Sequence, residues 1–287
     1  MPKKLPTVPA IETLKFRKTL SAPGLLKKVK PIFERATEHR TGQLAYTLTD
    51  VLMSALAMFG LKYPSLLQFD KNRHEPTIKN NLKQLYRVKE VPGDTQMRSI
   101  LDPVDPKMLR RPFLEIHHQV QRGKVLEAYK YLGGYLMSLD ATGQFSSTHL
   151  GCPACCRRRL RNGSTQYYHQ LLAAAIVHPD QSNVLPVFPE PITRQDGKTK
   201  NDCELNAAKR LLPAIRKAFS QLKLIVVEDS LFANAPHIKQ LQDLKMGYII
   251  VVKPADHTYL IKTVEQRLEN GEGHEFQTTE TNDTIRC

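Results

Sequence analysis

The chain has 287 residues and 41% apolar content, enough for two domains with sizeable cores. Its 42 Lys and Arg against 28 Asp and Glu leave +14 at pH 7, which favours phosphate-rich partners, nucleic acid ahead of an anionic membrane surface, over acidic proteins and small apolar ligands. No apolar run approaches the ~18 residues needed to span a bilayer, the basic N-terminus lacks the apolar stretch of a secretory signal, and the five cysteines do not form a disulfide framework, so a cytoplasmic protein without membrane contact is expected.

Residues 1–23 carry Lys3, Lys4, Lys15, Arg17 and Lys18 among four prolines and read as a basic arm, either an inert tail or a source of salt-sensitive phosphate contacts. Residues 24–130 read as a helical, basic domain. Leu48, Val51, Leu52, Ala55, Leu56 and Phe59 predict one buried helical stripe, with Thr47, Thr49 and Asp50 at its start and Gly60 near its end. Asp94 or Thr95 is expected to cap another helix. The basic residues of this region, from Lys62 through Arg87 to Arg111, suit either a solvated helical face or a DNA-facing one.

Glycines 123, 133 and 134 mark a junction, after which strands are expected over 135–141, 166–178 and 184–188, the last stopped by Pro189-Glu190-Pro191. A helix follows, capped by Asn201 or Asp202, with a stripe of Leu205, Ala208, Leu212, Ile215 and Phe219 that Pro213 should kink or split. Next come the strand 224–228, a helix with Asn234 as cap and Gly247 as stop, and a strand over 248–252. These elements predict an α/β fold, a mixed sheet covered by helices over 131–287, preceded by the all-α domain.

Two of the strands end in aspartates, Asp140 and Asp229. Singly, each is equally well a capping or turn residue. Together they place two carboxylates at the ends of runs too apolar for surface, where a charge needs a partner or a metal, and two carboxylates at neighbouring strand ends can share divalent cations.

With Leu139-Asp140-Ala141-Thr142 before two strands and a helix, and Val226-Val227-Glu228-Asp229-Ser230 after them, the chain resembles the RNase H-like catalytic domain of bacterial insertion-sequence DDE transposases. Tyr167-Tyr168-His169-Gln170, the stretch from Asp196 to Arg210 and Val252-Lys253-Pro254-Ala255-Asp256-His257 also look like blocks of that family. The resemblance implies that Asp140 and Asp229 hold Mg2+ or Mn2+ for strand cleavage and transfer. It further implies double-stranded DNA as partner, both transposon ends and target, with homo-oligomeric assembly in the nucleoid. The family's third carboxylate is a glutamate on a later helix, often within a Tyr, Arg, Glu, Lys signature. The chain reaches Thr284-Ile285-Arg286-Cys287 without it, so a truncated, impaired enzyme is expected, with a non-catalytic DNA-binding remnant or inhibitor of transposition as the alternative.

His149, Cys152, Cys155 and Cys156 offer soft ligands with half a zinc-site spacing, to be completed by His149 or His169; reduced thiols or redox chemistry are the other readings. Arg157, Arg158, Arg159 and Arg161 follow at once as a solvated hairpin or a phosphate grip, and Lys198 and Lys200 flank the next helix start. Glu204 either lends a carboxylate to the presumed site or is a first-turn glutamate favoured by the helix dipole, the latter being preferred, and His257 reads as a loop-stabilising residue or one that reaches the metal site or DNA. No P-loop, dinucleotide fingerprint or nucleophile elbow is present, which leaves ATP, NAD and acyl transfer without support.

Overall fold

The computed structural model describes residues 16–194, 201–272, 277–280 and 283–286. The first described unit is helical, as its apolar spacing predicts: α1 (Ala22–Phe33), α2 (Leu48–Gly60), α3 (Leu66–Asn72), α4 (Pro76–Gln84), α5 (Asp94–Leu101) and α6 (Arg110–Arg122). Ser21 and Thr47 cap α1 and α2 by accepting from the backbone amides of Gly24 and Asp50, which satisfies donors the first turn leaves open. Val29, Phe33, Val51, Met53, Phe69, Leu82, Met97 and Ile100 form one buried cluster.

The buried face of α2 includes Leu48, Val51 and Leu52 of the predicted stripe, with Ala55 and Leu56 partly buried, and widens to a second flank. Met53, Ser54 and Ala57 are fully buried while Phe59 is 71% exposed. The reason is that Asp50 goes inward, where its carboxylate accepts from the Lys89 amide, so the helix buries a second flank. Leu52, Ala55, Leu56 and Phe59 line an open apolar cleft with Leu109, Phe113 and Ile116. At α5 the cap is Gly93, one residue ahead of the expected Asp94, which becomes the first helical residue.

The second cluster fills a seven-stranded mixed sheet. Its central strand β2 (Gly134–Ser147) pairs antiparallel with β4 (Thr165–Val177) on one side and parallel with β6 (Leu224–Glu228) on the other. Beyond β6 lies β7 (Gly247–Ile250), again parallel. On the other edge, β5 (Leu185–Ile192) and β3 (Cys156–Arg159) pair with successive parts of β4, and the short β1 (Lys130–Tyr131) folds back on the start of β2. Three antiparallel strands followed outward by two parallel ones, in the order β5-β4-β2-β6-β7, make an RNase H-like sheet. The helices α7 (Glu204–Ala218) and α8 (Ala235–Asp243) are its crossovers, and α9 (Thr258–Glu269) follows β7. A separate hairpin joins β8 (Gln277–Glu280) to β9 (Asp283–Arg286).

The prolines behave differently from expectation, for local reasons. β5 continues past Pro189 and Pro191, with a register shift against β4 at Phe188-Pro189, because it is an edge strand, where a missing N–H breaks no ladder on the open side. Helix α7 continues through Pro213 without splitting. Pro213 cannot donate to the carbonyl of Lys209 one turn back, and the Gln240 side chain of α8 donates to that carbonyl instead, at 3.2 Å. The start of α7 also differs: Cys203 is its cap residue, and Asp202 turns its carboxylate into the core. Helix α8 begins at Asn234 as expected, but the left-handed turn at its end falls on Lys245 (φ 53°), while Gly247 opens β7 against Ile225.

Candidate functional site

Strand pairing brings the two aspartates together. The parallel register of β2 and β6 sets Ser138 opposite Val227, so two residues further on Asp140 stands opposite Asp229. Here β6 ends and β2 runs on beside β4 alone, leaving both aspartates exposed. One oxygen of each is held by the backbone: Asp140 Oδ1 accepts from the Ala141 amide at 2.8 Å, and Asp229 Oδ1 from the Leu231 amide at 3.0 Å. Each carboxylate thus has one oxygen engaged by the backbone. Neither has a cationic side chain at salt-bridge distance among the described residues.

A third carboxylate feels the charge of both aspartates, although the three do not draw together within 4.8 Å. Glu204, in the first turn of α7, has its pKa raised by burial, then by the negative charges of Asp140 and Asp229. Three carboxylates from β2, β6 and α7 therefore share one field, and the last resists ionisation while no cation offsets the other two. The first-turn position of Glu204 is as the sequence predicts; its placement in the field of the aspartates comes from the fold.

What fixes α7 is a buried ionic network. Glu190 on β5 is met by Arg110 of α6 at 2.5 Å and by Arg210 of α7 at 2.7 Å, and the same Arg210 reaches Asp202 at 2.5 Å. Glu190 and Asp202 are almost wholly buried, so the pairs are desolvated and strict in geometry. Under Asp229, Glu228 points to the other face and meets His237 of α8 at 2.8 Å, with both side chains buried; the second Glu228 oxygen has no hydrogen-bond partner among the described residues.

The arginines form an exposed strand on the far part of β4, where Arg157 faces Tyr167, six residues before the Ala173 that faces Asp140. β3 carries Arg157, Arg158 and Arg159, and Arg161 follows in the turn, all exposed except the interleaved Leu160. Arg157 stacks over Tyr167 at 5.2 Å and Arg158 over Tyr168 at 5.6 Å, so the guanidinium planes are held rather than free. The Asn201 amide side chain pairs with both backbone groups of Arg157, tying β3 to the segment that leads into α7. Lys198 and Lys200 lie outside the described residues.

The soft ligands gather in a different set from the one singled out in the sequence. Cys152 Sγ and Cys155 Sγ each lie 3.2 Å from His169 Nε2 and 3.5 Å from one another. Cys156 is excluded because strand alternation turns it into the core, where its thiol faces the Ile192 carbonyl. His149 stays at the rim of the cleft that Cys152 lines. His257 caps α9 and places Nε2 3.4 Å from the Ser230 carbonyl, so it braces the turn after Asp229 rather than joining the carboxylates.

No family model and no curated protein matches the chain. Among solved structures, the chain is similar to piggyBac transposase in a cryo-EM structure of its synaptic complex with hairpin DNA, at a TM-score of 0.32 and 16% identity. That match covers 94% of this chain and 56% of the other, so the chain spans just over half the length of the protein it matches. At this TM-score the likeness carries no weight, and the RNase H-like assignment rests on strand order and register. No helix among the described residues is long and apolar enough to cross a membrane.

Proposed function

We propose that the chain acts on DNA as a metal-dependent phosphodiester-processing protein of the transposase type, with Asp140, Asp229 and Glu204 as its carboxylates. The observation that carries this reading is the unneutralised trio: burial and the charges of Asp140 and Asp229 raise the pKa of Glu204, and none of the described cationic side chains pairs with the three. Hard oxygen donors in that number suit Mg2+ or Mn2+ rather than zinc. A divalent ion bound there supplies Lewis acidity at a phosphodiester and lowers the pKa of attacking water.

The remaining roles belong to the chain's own residues. Ala141 and Leu231 orient the aspartates through their amides. Arg157, Arg158, Arg159 and Arg161 take DNA phosphates further along the duplex, with Tyr167 and Tyr168 holding two of the guanidinium groups. Glu204 supplies the third carboxylate from α7, where the resemblance places one on a later helix.

The test is a DNA cleavage and strand-joining assay on the purified chain with Mg2+ or Mn2+, wild type against D140N, D229N and E204Q. Activity in the wild type that falls by orders of magnitude in each variant, with duplex binding retained, is the expected result. Duplex binding with no metal-dependent cleavage in the wild type supports the alternative of a non-catalytic DNA binder. Full activity in E204Q removes Glu204 from the site.

A further inference from the structure

We infer that Cys152, Cys155 and His169 bind one zinc ion, at a site separate from the three carboxylates. The ligand atoms come from two places, a Cys-x-x-Cys turn between β2 and β3 and the strand β4, so the group joins a loop to the sheet. Their spacing is close to that of a filled site. A zinc–sulfur distance of about 2.3 Å and a zinc–nitrogen distance of about 2.0 Å at tetrahedral angles set sulfur atoms about 3.8 Å apart and sulfur about 3.6 Å from nitrogen. The observed 3.5 Å between sulfurs and 3.2 Å from each sulfur to His169 Nε2 need to open by only a few tenths of an ångström.

No other group of three ligand-type atoms among the described residues is drawn together within 4.8 Å. Backbone bonds preset the turn: the Cys155 amide donates to the Cys152 carbonyl, and the Cys152 amide lies 3.2 Å from Cys155 Sγ. Cys152 is exposed on a cleft that His149 also lines, so an ion has access from solvent and the fourth position goes to water or His149. Two thiolates and an imidazole favour zinc over Mg2+, which prefers oxygen.

Such an ion has a mechanical consequence. The turn holding the cysteines leads directly into Cys156 and the exposed arginines of β3. The same turn touches the edge of the sheet through the Arg194 amide, which donates to the Ala154 carbonyl. Zinc clamps this loop to His169 and so holds the basic strand.

Reduced protein is prepared without chelator, and metal is measured by elemental analysis in wild type, C152S, H169Q and C156S. About one zinc per chain in wild type and C156S, with at least a tenfold loss in C152S and H169Q, is expected. Cobalt added to zinc-stripped, reduced wild type gives a readout that requires no variant to fold, because two thiolate ligands produce a sulfur-to-cobalt charge-transfer band. Trypsin then cleaves the arginines of β3 several-fold faster after zinc removal than with zinc restored. Absence of both zinc and the cobalt band in reduced wild type overturns the assignment, as does zinc retained equally in well-folded C152S and H169Q. A Cys152–Cys155 disulfide that re-forms while zinc is refused places redox chemistry there instead. None of these readouts depends on DNA cleavage, so failure here leaves the carboxylate reading standing, and failure there leaves this one.

Discussion

Replacing Arg210 by Met tests whether the ionic network positions the carboxylate site. Arg210 is the shared cation of two carboxylates that are nearly inaccessible, with side-chain exposures of 4% for Glu190 and 1% for Asp202. Breaking a buried pair from one side costs about 3–5 kcal/mol, because the remaining charge is stranded. The lower end applies here for two reasons. Glu190 keeps Arg110 at 2.5 Å and Asp202 keeps the Cys203 amide at 2.9 Å, while the Arg210 side chain is itself 35% exposed. Methionine retains most of the stem's volume, so little cavity cost is added, and chemical denaturation at pH 7 should show a loss of about 3 kcal/mol. Adding D202N to R210M should recover part of it, since a neutral amide does not need the missing guanidinium. The Mg2+-dependent rise in melting temperature should shrink in R210M, as the first turn of α7 carries Glu204 next to Asp202. A loss under about 1 kcal/mol, or no recovery on adding D202N, refutes the view that this network is what fixes α7.

Other consequences are open to direct measurement. The Glu204 pKa is raised, so folding favours its protonated form; that contribution is complete below the unfolded value and lost as pH rises through the folded one. E204Q should therefore melt higher than wild type at neutral pH without metal, with the difference vanishing towards acid pH, and the order should reverse with Mg2+; a constant difference across pH would contradict the like-charge cluster. Mg2+ at ten times its dissociation constant should stabilise the wild type by about 1.4 kcal/mol, measured by thermal melting, and D140N or D229N should lose that increment. Alanine at Arg157, Arg158 or Arg161 should weaken duplex binding and lower the slope of log affinity against log salt by about 0.9 for each phosphate contact removed, as titrations at several salt concentrations would show. Q240A should cost up to about 1 kcal/mol in denaturant melts of the wild type and nothing in P213A, where residue 213 donates to the Lys209 carbonyl itself.

Much of the sheet is legible in the sequence, because strand ends are marked by apolar runs that stop at a charge. Leu224 to Val227 is too apolar for surface, and Glu228 and Asp229 end it. Expectation and structure part where a local rule meets a tertiary exception. Pro189 and Pro191 break a strand only if both its sides are paired, and β5 has a free edge; Pro213 splits a helix only if nothing serves the abandoned carbonyl, and Gln240 does. The buried face of α2 widens because Asp50 finds a partner in the Lys89 amide, and no periodicity of apolar residues reports on that. In the cysteine cluster, adjacency along the chain suggests Cys156, but adjacent residues of a strand face opposite ways; of the two histidines the sequence offers as completion, closeness in space selects His169 on β4. Glu204 is open to both readings in the sequence, and the helix-dipole one is preferred because a glutamate opening a helix has an adequate local explanation; its placement in the field of Asp140 and Asp229 comes from the fold.

The distribution of cations is what separates a structural carboxylate from a candidate ligand in this chain. With an excess of 14 basic residues, positive charge is abundant. Two of the described arginines, Arg110 and Arg210, are directed to Glu190 and Asp202, which sit inside the protein and have no access to an external ion. The imidazole of His237 is directed to Glu228 in the same way. Asp140, Asp229 and Glu204 lie close to these neutralised groups, with Asp229 one residue from Glu228 and Glu204 two from Asp202, yet none of the described arginines or lysines reaches them at salt-bridge distance. That a fold pairing its buried acids this closely leaves Asp140, Asp229 and Glu204 without a described cationic partner, in one another's field, is the ground on which we propose that an external cation balances them.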